Sequence, residues 1–185
     1  MSVLPIYTYG APILRKKAKP VKEASDEIIS LIMDMFETMR SSNGIGLAAT
    51  QVGSTHRVLV IDISDLEETK GNPPLTVINP EIVSEEGTLT IEEGCLSIPD
   101  VRDDVERAEK IRLRYKDAAF NDVEIEAGGM LARVLLHEID HLNGVLFIDH
   151  LSTLRRKLHR KALKQIERGE FEVNYPVITA ARVTA

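Results

Sequence analysis

The residues best placed to do chemistry stand together at His137-Glu138-Ile139-Asp140-His141, an HExxH pentad. On a helix, at about 100° per residue, positions i and i+4 lie roughly 40° apart and one turn above the other, so both imidazoles can reach one divalent ion. Glu138 sits at the edge of that face, where a carboxylate can touch the metal's water without being a ligand and take a proton from it. The pattern points to metal-assisted hydrolysis. A bare pentad also occurs by chance on unrelated helices, but its setting here argues against that. Met130-Leu131-Ala132-Arg133-Val134-Leu135-Leu136 runs straight into it, and Asn143-Gly144 follows as a C-terminal stop. A helix apolar nearly all round belongs inside a domain, where polar side chains are costly unless paired or bound to metal.

Two ligands do not complete a site. The metzincin continuation of the pentad finds Gly144 in place but Phe147 where its histidine should be, which excludes that pattern. A thermolysin-like site would need a downstream carboxylate, and Glu167, Glu170 and Glu172 all lie beyond a surface helix. The only cysteine, Cys95, ends a strand-like run in Glu92-Glu93-Gly94-Cys95-Leu96-Ser97-Ile98-Pro99 and is a credible third ligand, although a lone thiol is more often a small buried hydrophobe. Earlier still, Gly44-Ile45-Gly46-Leu47-Ala48-Ala49-Thr50-Gln51-Val52-Gly53 has the small residues of a backbone that a ligand or strand approaches closely.

In this order the three segments resemble the peptide deformylase family, whose GxGxAAxQ, EGCxS and QHExDH motifs are matched by Gly44 to Gln51, Glu93 to Ser97, and His137 to His141. The similarity runs from about Leu4 to about Lys164. It implies that Cys95, His137 and His141 bind one divalent metal, with the fourth position left to water. Iron(II) is the implied native ion, with zinc, nickel or cobalt able to replace it. The implied reaction is attack of the metal-bound water on the N-formyl group of formyl-methionine at the start of newly made polypeptides, releasing formate, with Glu138 as general acid/base. The implied oxyanion donors are the backbone NH of Leu96 and the side-chain amide of Gln51.

The same resemblance places an extended peptide against backbone near Gly46, its methionine side chain in an apolar pocket to which Ile45, Leu96 and Val134 contribute. Arg102 is a candidate to hold a peptide carbonyl. Arg107 could pair with Glu93 and brace the motif loop, or both arginines could be solvated. Asp140 could orient an imidazole NH or pair with a nearby Arg such as Arg133. One departure stands out: Leu136 occupies the position where the family usually has Gln, removing an amide from beside the first metal histidine. Leu136 keeps a noncatalytic metal- or ribosome-binding module in view. The other rival is a metallopeptidase that uses only the histidines and an unidentified acid.

Positioning these residues requires a scaffold that the periodicity outlines. Ser25 to about Arg40 carries Ile28, Ile32, Met35 and Met39 at helical spacing, with Asp26 and Glu27 in the first turn. Arg57 to Asp62 reads as a buried strand, Asp65 to Pro74 as an exposed loop, and Leu75 to Ile78 and Thr88 to Ile91 as short strands. Ile111, Leu113 and Tyr115, then Val123 and Ile125, alternate with polar residues as a half-buried hairpin should. This order predicts an α+β domain with mixed or antiparallel sheets wrapped around a central HExxH helix, plus an N-terminal helix and a basic C-terminal helix.

That last helix is expected over residues 153–168, and from Arg155 to Arg168 it holds seven Lys or Arg against one acid, Glu167. It invites an anionic partner, and the resemblance implies the ribosome, although no aromatic residues are interleaved for base stacking. One catalytic domain is expected over residues 1–170, and residues 171–185 form a tail without an interpretable motif. With 185 residues, 43% of them hydrophobic, a net charge of -6 and one cysteine, the chain can bury a substantial core but cannot build a disulfide framework. A free thiol suits a reducing cytosol. The start, Met1-Ser2-Val3-Leu4-Pro5-Ile6, lacks the charge pattern of a secretory signal, and no stretch is apolar enough to span a bilayer. A cytoplasmic location is expected, with neither membrane nor DNA as partner.

Overall fold

A computed structural model describes residues 1–183. After a two-residue strand, β1 (Ile6–Tyr7), the first long element is α1 (Asp26–Ser41). Ser25 caps it, its Oγ accepting the Ile28 N–H at 3.4 Å, and Asp26 and Glu27 face the positive end of the helix dipole. Ile28, Ile32, Met35 and Met39 form its buried stripe, as the spacing predicts.

The sheets follow the α+β expectation. Strands β2 (Gly46–Ala48), β3 (Val58–Ile61), β4 (Leu75–Glu86), β5 (Leu89–Cys95), β6 (Ile98–Arg107), β7 (Lys110–Lys116) and β8 (Asp122–Gly128) precede the HExxH helix, α2 (Gly129–Leu142). An antiparallel five-stranded sheet has the order β2-β3-β4-β7-β8, and β5 pairs with β6 in a separate hairpin. All four residues of β3 are buried because both faces are covered. Leu59 and Ile61 join the apolar cluster around α2, whereas Val58 and Val60 join the cluster under α1. Ten of the fourteen residues of α2 are buried, so packing rather than surface propensity holds this helix, each fully buried large apolar side chain contributing roughly 1.5–3 kcal/mol.

Two strands are longer than the sequence suggests. Beyond Ile78, β4 passes through Asn79 in the left-handed region (φ 53°) and Pro80, and its register with β7 shifts there and again after Ile82. Those irregularities and the acidic run look like a loop, yet Glu81 stands opposite Arg114 and Glu86 opposite Lys110, an alternation of opposite charges that favours pairing. Strand β5 runs on through the motif to Cys95.

The basic C-terminal helix is two helices, which corrects the single element expected over 153–168. Helix α3 (Thr153–Leu158) ends at His159, and α4 (Arg160–Arg168) starts beyond it. The break has a cause: His159 Nε2 lies 2.7 Å from Asp103 Oδ2 on β6, and Arg155 donates to Oδ1 of the same carboxylate. Helix α4 then seats Leu163 and Ile166 in a third apolar cluster with Val101 and Val105 of β6. The tail returns to the start of the chain, where β9 (Val177–Ile178) pairs in parallel with β1, and a short helix, α5 (Ala180–Val183), follows. Among the described residues no helix is long and apolar enough to cross a membrane.

Candidate functional site

Helix α2 presents His137, Glu138 and His141 inward, all buried. Cys95 reaches them from the end of β5, where the hairpin turns through Leu96 and Ser97 into β6. Its Sγ lies 3.2 Å from His141 Nε2, and the Cys95, His137 and His141 ligand atoms are all within 4.8 Å of one another. The three ligands inferred from the sequence therefore converge. His137 Nδ1 is 2.9 Å from Glu93 Oε2, and since a carboxylate can only accept, this nitrogen donates and leaves Nε2 for the centre of the cluster.

The electrostatics suit a cation. Burial disfavours a charged His137, but the hydrogen bonds it donates to Cys95 and Glu93 outweigh it and raise its pKa well above the ordinary value. His141 is pushed the other way, by burial and then by the charge of His137. Burial raises the pKa of Glu138 to about 7, although His137 opposes it, and Glu138 Oε2 has no hydrogen-bond partner. A thiol, two imidazoles and an unsatisfied buried carboxylate oxygen form a donor set compatible with one divalent ion and a water beside it.

Glu93 holds this cluster to the rest of the molecule. Burial alone would raise its pKa, yet the hydrogen bonds from His137 and Arg107 keep it well below the usual carboxylate range. Arg107 grips it twice, Nε to Oε1 at 2.6 Å and an NH2 to Oε2 at 3.1 Å, and Arg133 adds a bond to Oε1 at 2.8 Å. Arg107 thus braces the motif from a buried position, as one of the two readings had it. Asp140 does not orient a metal-site imidazole; it pairs with an arginine, as the second reading had it, but with Arg107 rather than Arg133. Its Oδ2 accepts from Arg107 at 2.6 Å and lies 2.7 Å from His150 Nε2, while His141 Nδ1 has no hydrogen-bond partner. Sequence reasoning linked Glu93 only to Arg107 and missed its contact with His137. The signal was the alternation Val101, Asp103, Val105, Arg107, which turns both charged residues inward on β6.

A cavity of about 760 Å³ opens beside the cluster, and Ile45, Gly46, Leu96, Arg102 and Val134 all line it. Arg102 stands at its exposed rim, 3.7 Å from Glu92. Gly46 is required by close approach: a Cβ there would lie 2.6 Å from Glu138 Oε1 and 2.8 Å from Val134 Cγ1. Gln51 is fixed in orientation. Its Oε1 accepts from Ala48 N at 2.8 Å, so Nε2 faces Ser97 Oγ at 3.2 Å and Cys95 Sγ at 3.6 Å, a donor aimed beside the thiol. Leu136 packs in the apolar cluster around α2 and leaves no polar group there to satisfy. Residues 172–175 of the tail also line the cavity, which nothing in their sequence announced.

A buried HExxH helix facing a thiol across an α+β core is the frame of a metal-dependent hydrolase. The family model described as polypeptide deformylase matches residues 3–157, and the chain belongs to that family and is an enzyme. Peptide deformylase from Salinibacter ruber is 50% identical, the match covering 96% of this chain and 95% of that protein. Among solved structures, a peptide deformylase from Legionella pneumophila is 42% identical with a TM-score of 0.83, covering 91% of this chain and 98% of that one. The Ehrlichia chaffeensis peptide deformylase in complex with actinonin is 39% identical with a TM-score of 0.84, covering 93% and 100%.

Proposed function

We propose that this enzyme removes the N-formyl group from formyl-methionine at the start of newly made polypeptides in the cytoplasm. The observation that carries the reading is the unpartnered carboxylate oxygen of Glu138, buried beside the Cys95, His137 and His141 cluster at the wall of the cavity. The proposed occupant of the cluster is iron(II), with zinc, nickel or cobalt as replacements that the same thiolate and imidazoles accept. When bound, such an ion supplies a Lewis acid that polarises the formyl carbonyl and acidifies a water molecule.

The chain's own residues do the rest. Strand β2 is the edge of its sheet, and the peptide lies extended along Ile45 and Gly46 with its methionine side chain toward Val134. Arg102 at the rim holds a carbonyl further along the peptide. Glu138 takes a proton as water oxygen bonds to the formyl carbon. The Leu96 NH and Gln51 Nε2 stabilise the negative charge that develops on the formyl oxygen. Glu138 then protonates the amide nitrogen as the C–N bond breaks, leaving formate and a free amine. A carboxyl whose pKa burial brings to about 7 is suited to both transfers.

Among the described residues the one cluster able to hold an ion is Cys95, His137 and His141, which offers the metallopeptidase alternative no carboxylate ligand. Glu93, the carboxylate nearest His137, is occupied by two arginines and that imidazole's far nitrogen. A noncatalytic module has no need of an unsatisfied Glu138. The seven basic residues of α3 and α4 are all exposed, and we propose that they dock the enzyme on the ribosome where its substrates emerge.

The test is formate release from a formyl-methionyl peptide by protein prepared without oxygen in iron(II), with an acetylated peptide alongside. Release specific to formyl, falling by about 10²- to 10⁴-fold in Glu138→Ala, is expected. Cys95→Ser should likewise abolish it. Turnover by metal-loaded Cys95→Ser at the wild-type rate would favour the metallopeptidase, and none by the metal-loaded native chain would favour the noncatalytic module.

A further inference from the structure

Leu96 and Ser97 form the two-residue turn between β5 and β6, and three separate parts of the molecule hold it. Tyr9 N, just after β1, donates to Ser97 O at 2.8 Å. Gln51 Nε2 donates to Ser97 Oγ at 3.2 Å. The third contact comes from the tail: Tyr175 Oη donates to Leu96 O at 2.9 Å. Tyr175 is itself fixed at short range, because Ile6 N donates to Pro176 O at 2.9 Å and Thr8 N to Ile178 O at 3.0 Å, tying the following residues into the β1–β9 pair.

We propose that Tyr175 is a positioning residue for deformylation, its hydroxyl holding the Leu96 carbonyl so that the Leu96 NH points at the developing oxyanion. This rests on the reading of Leu96 as an oxyanion donor. The two groups of Leu96 lie on adjacent peptide planes that share its Cα, so with the carbonyl plane pinned the NH plane can turn only about the φ and ψ of this one residue. The side chain of Leu96, part-buried, packs against the cluster under α1 and closely against Gly44, where a Cβ would lie 2.8 Å from Leu96 Cδ1, but that packing does not orient its peptide groups. The hydroxyl remains a donor throughout the working range. Burial, and then the negative charge of Cys95 and Asp100, push the Tyr175 pKa up to about 12.

A merely structural tail and a positioning hydroxyl make different predictions for Tyr175→Phe, which keeps the ring and its packing. Displacing an oxyanion donor without removing it should lower kcat about 5- to 30-fold, less than loss of a donor outright, while KM for a formyl-methionyl peptide stays within about twofold. Hydrogen exchange at the Leu96 amide in the metal-loaded protein should quicken in the same variant, and melting should show the chain still folded. Unchanged kcat, or a raised KM with kcat intact, overturns the proposal and leaves Tyr175 as part of the cavity wall. Failure of the deformylase reading is distinguishable, because it would appear as no turnover in the unmodified enzyme, whereas the exchange of Leu96 reports on the Tyr175 contact regardless of turnover. Exchange unaltered by Tyr175→Phe also overturns the proposal.

Discussion

At the scale of single residues the site depends on what is missing as much as on what is present. Gly46 leaves the space into which Glu138 Oε1 and Val134 Cγ1 project, and adding one methyl must push one of them away. Gly46→Ala is expected to cost about 1–3 kcal/mol as overpacking and to lower kcat more than a comparable surface change, because the displaced group is the acid/base. Urea midpoints and steady-state kinetics on the same preparation check both parts, and unaltered kinetics would mean that Glu138 tolerates displacement. Glu93 supplies the opposite case. Replacing it by Ala leaves Arg107 and Arg133 buried without their shared anion, at an expected loss of about 3–5 kcal/mol in denaturant titrations. The HExxH spacing singled out His137, Glu138 and His141, and the family resemblance added Cys95 and Gln51; the fold brings all five to one place. Neither the spacing nor the resemblance could disclose which way Asp140 turns, since a helix carboxylate has several partners in reach and only the fold brings Arg107 and His150 nearer than a metal-site ring.

At the scale of elements, strongly periodic segments were legible: α1, β3, the β7–β8 hairpin and α2 stand where apolar spacing placed them. The split between α3 and α4 was not, because uniform positive charge conceals the contact that causes it. Asp103 is buried and takes hydrogen bonds from both Arg155 and His159. The Arg155 hydrogen bond, with help from His159 and against burial, lowers the Asp103 pKa to about 2. A carboxyl with a folded-state pKa depressed below its unfolded value near ~3.9 contributes stability that is complete above that value and lost as pH falls through the folded one. Attachment of the helix pair should therefore weaken between about pH 4 and about pH 2. The difference in urea midpoint between the native chain and Asp103→Asn is expected to be largest near neutrality and to close across this window. A difference that persists below it would assign the role to packing of Leu163 and Ile166 instead.

At the scale of the whole molecule, a chain of net charge -6 concentrates seven of its 23 Lys and Arg on the exposed surface of α3 and α4. Arg156, Lys157, Lys161 and Lys164 are exposed there, away from the cavity and its lining residues. Exposed cations near an acidic body gain little from stability and much from long-range attraction, which is screened beyond about 10 Å at 0.1 M salt. Docking through this face predicts that reversing these four charges to Glu abolishes cosedimentation with ribosomes while kcat and KM on a short formyl-methionyl peptide remain unchanged. Binding by the native chain should fall steeply as salt is raised, since each phosphate contact releases counterions. If the reversed protein still cosediments, the face only balances the acidic body, and the enzyme must meet its substrates by diffusion. Leu154 and Leu158, 71% and 73% exposed on α3, sharpen the test: replacing both by Ser should reduce ribosome binding without altering its salt dependence if the docked helix also buries apolar surface.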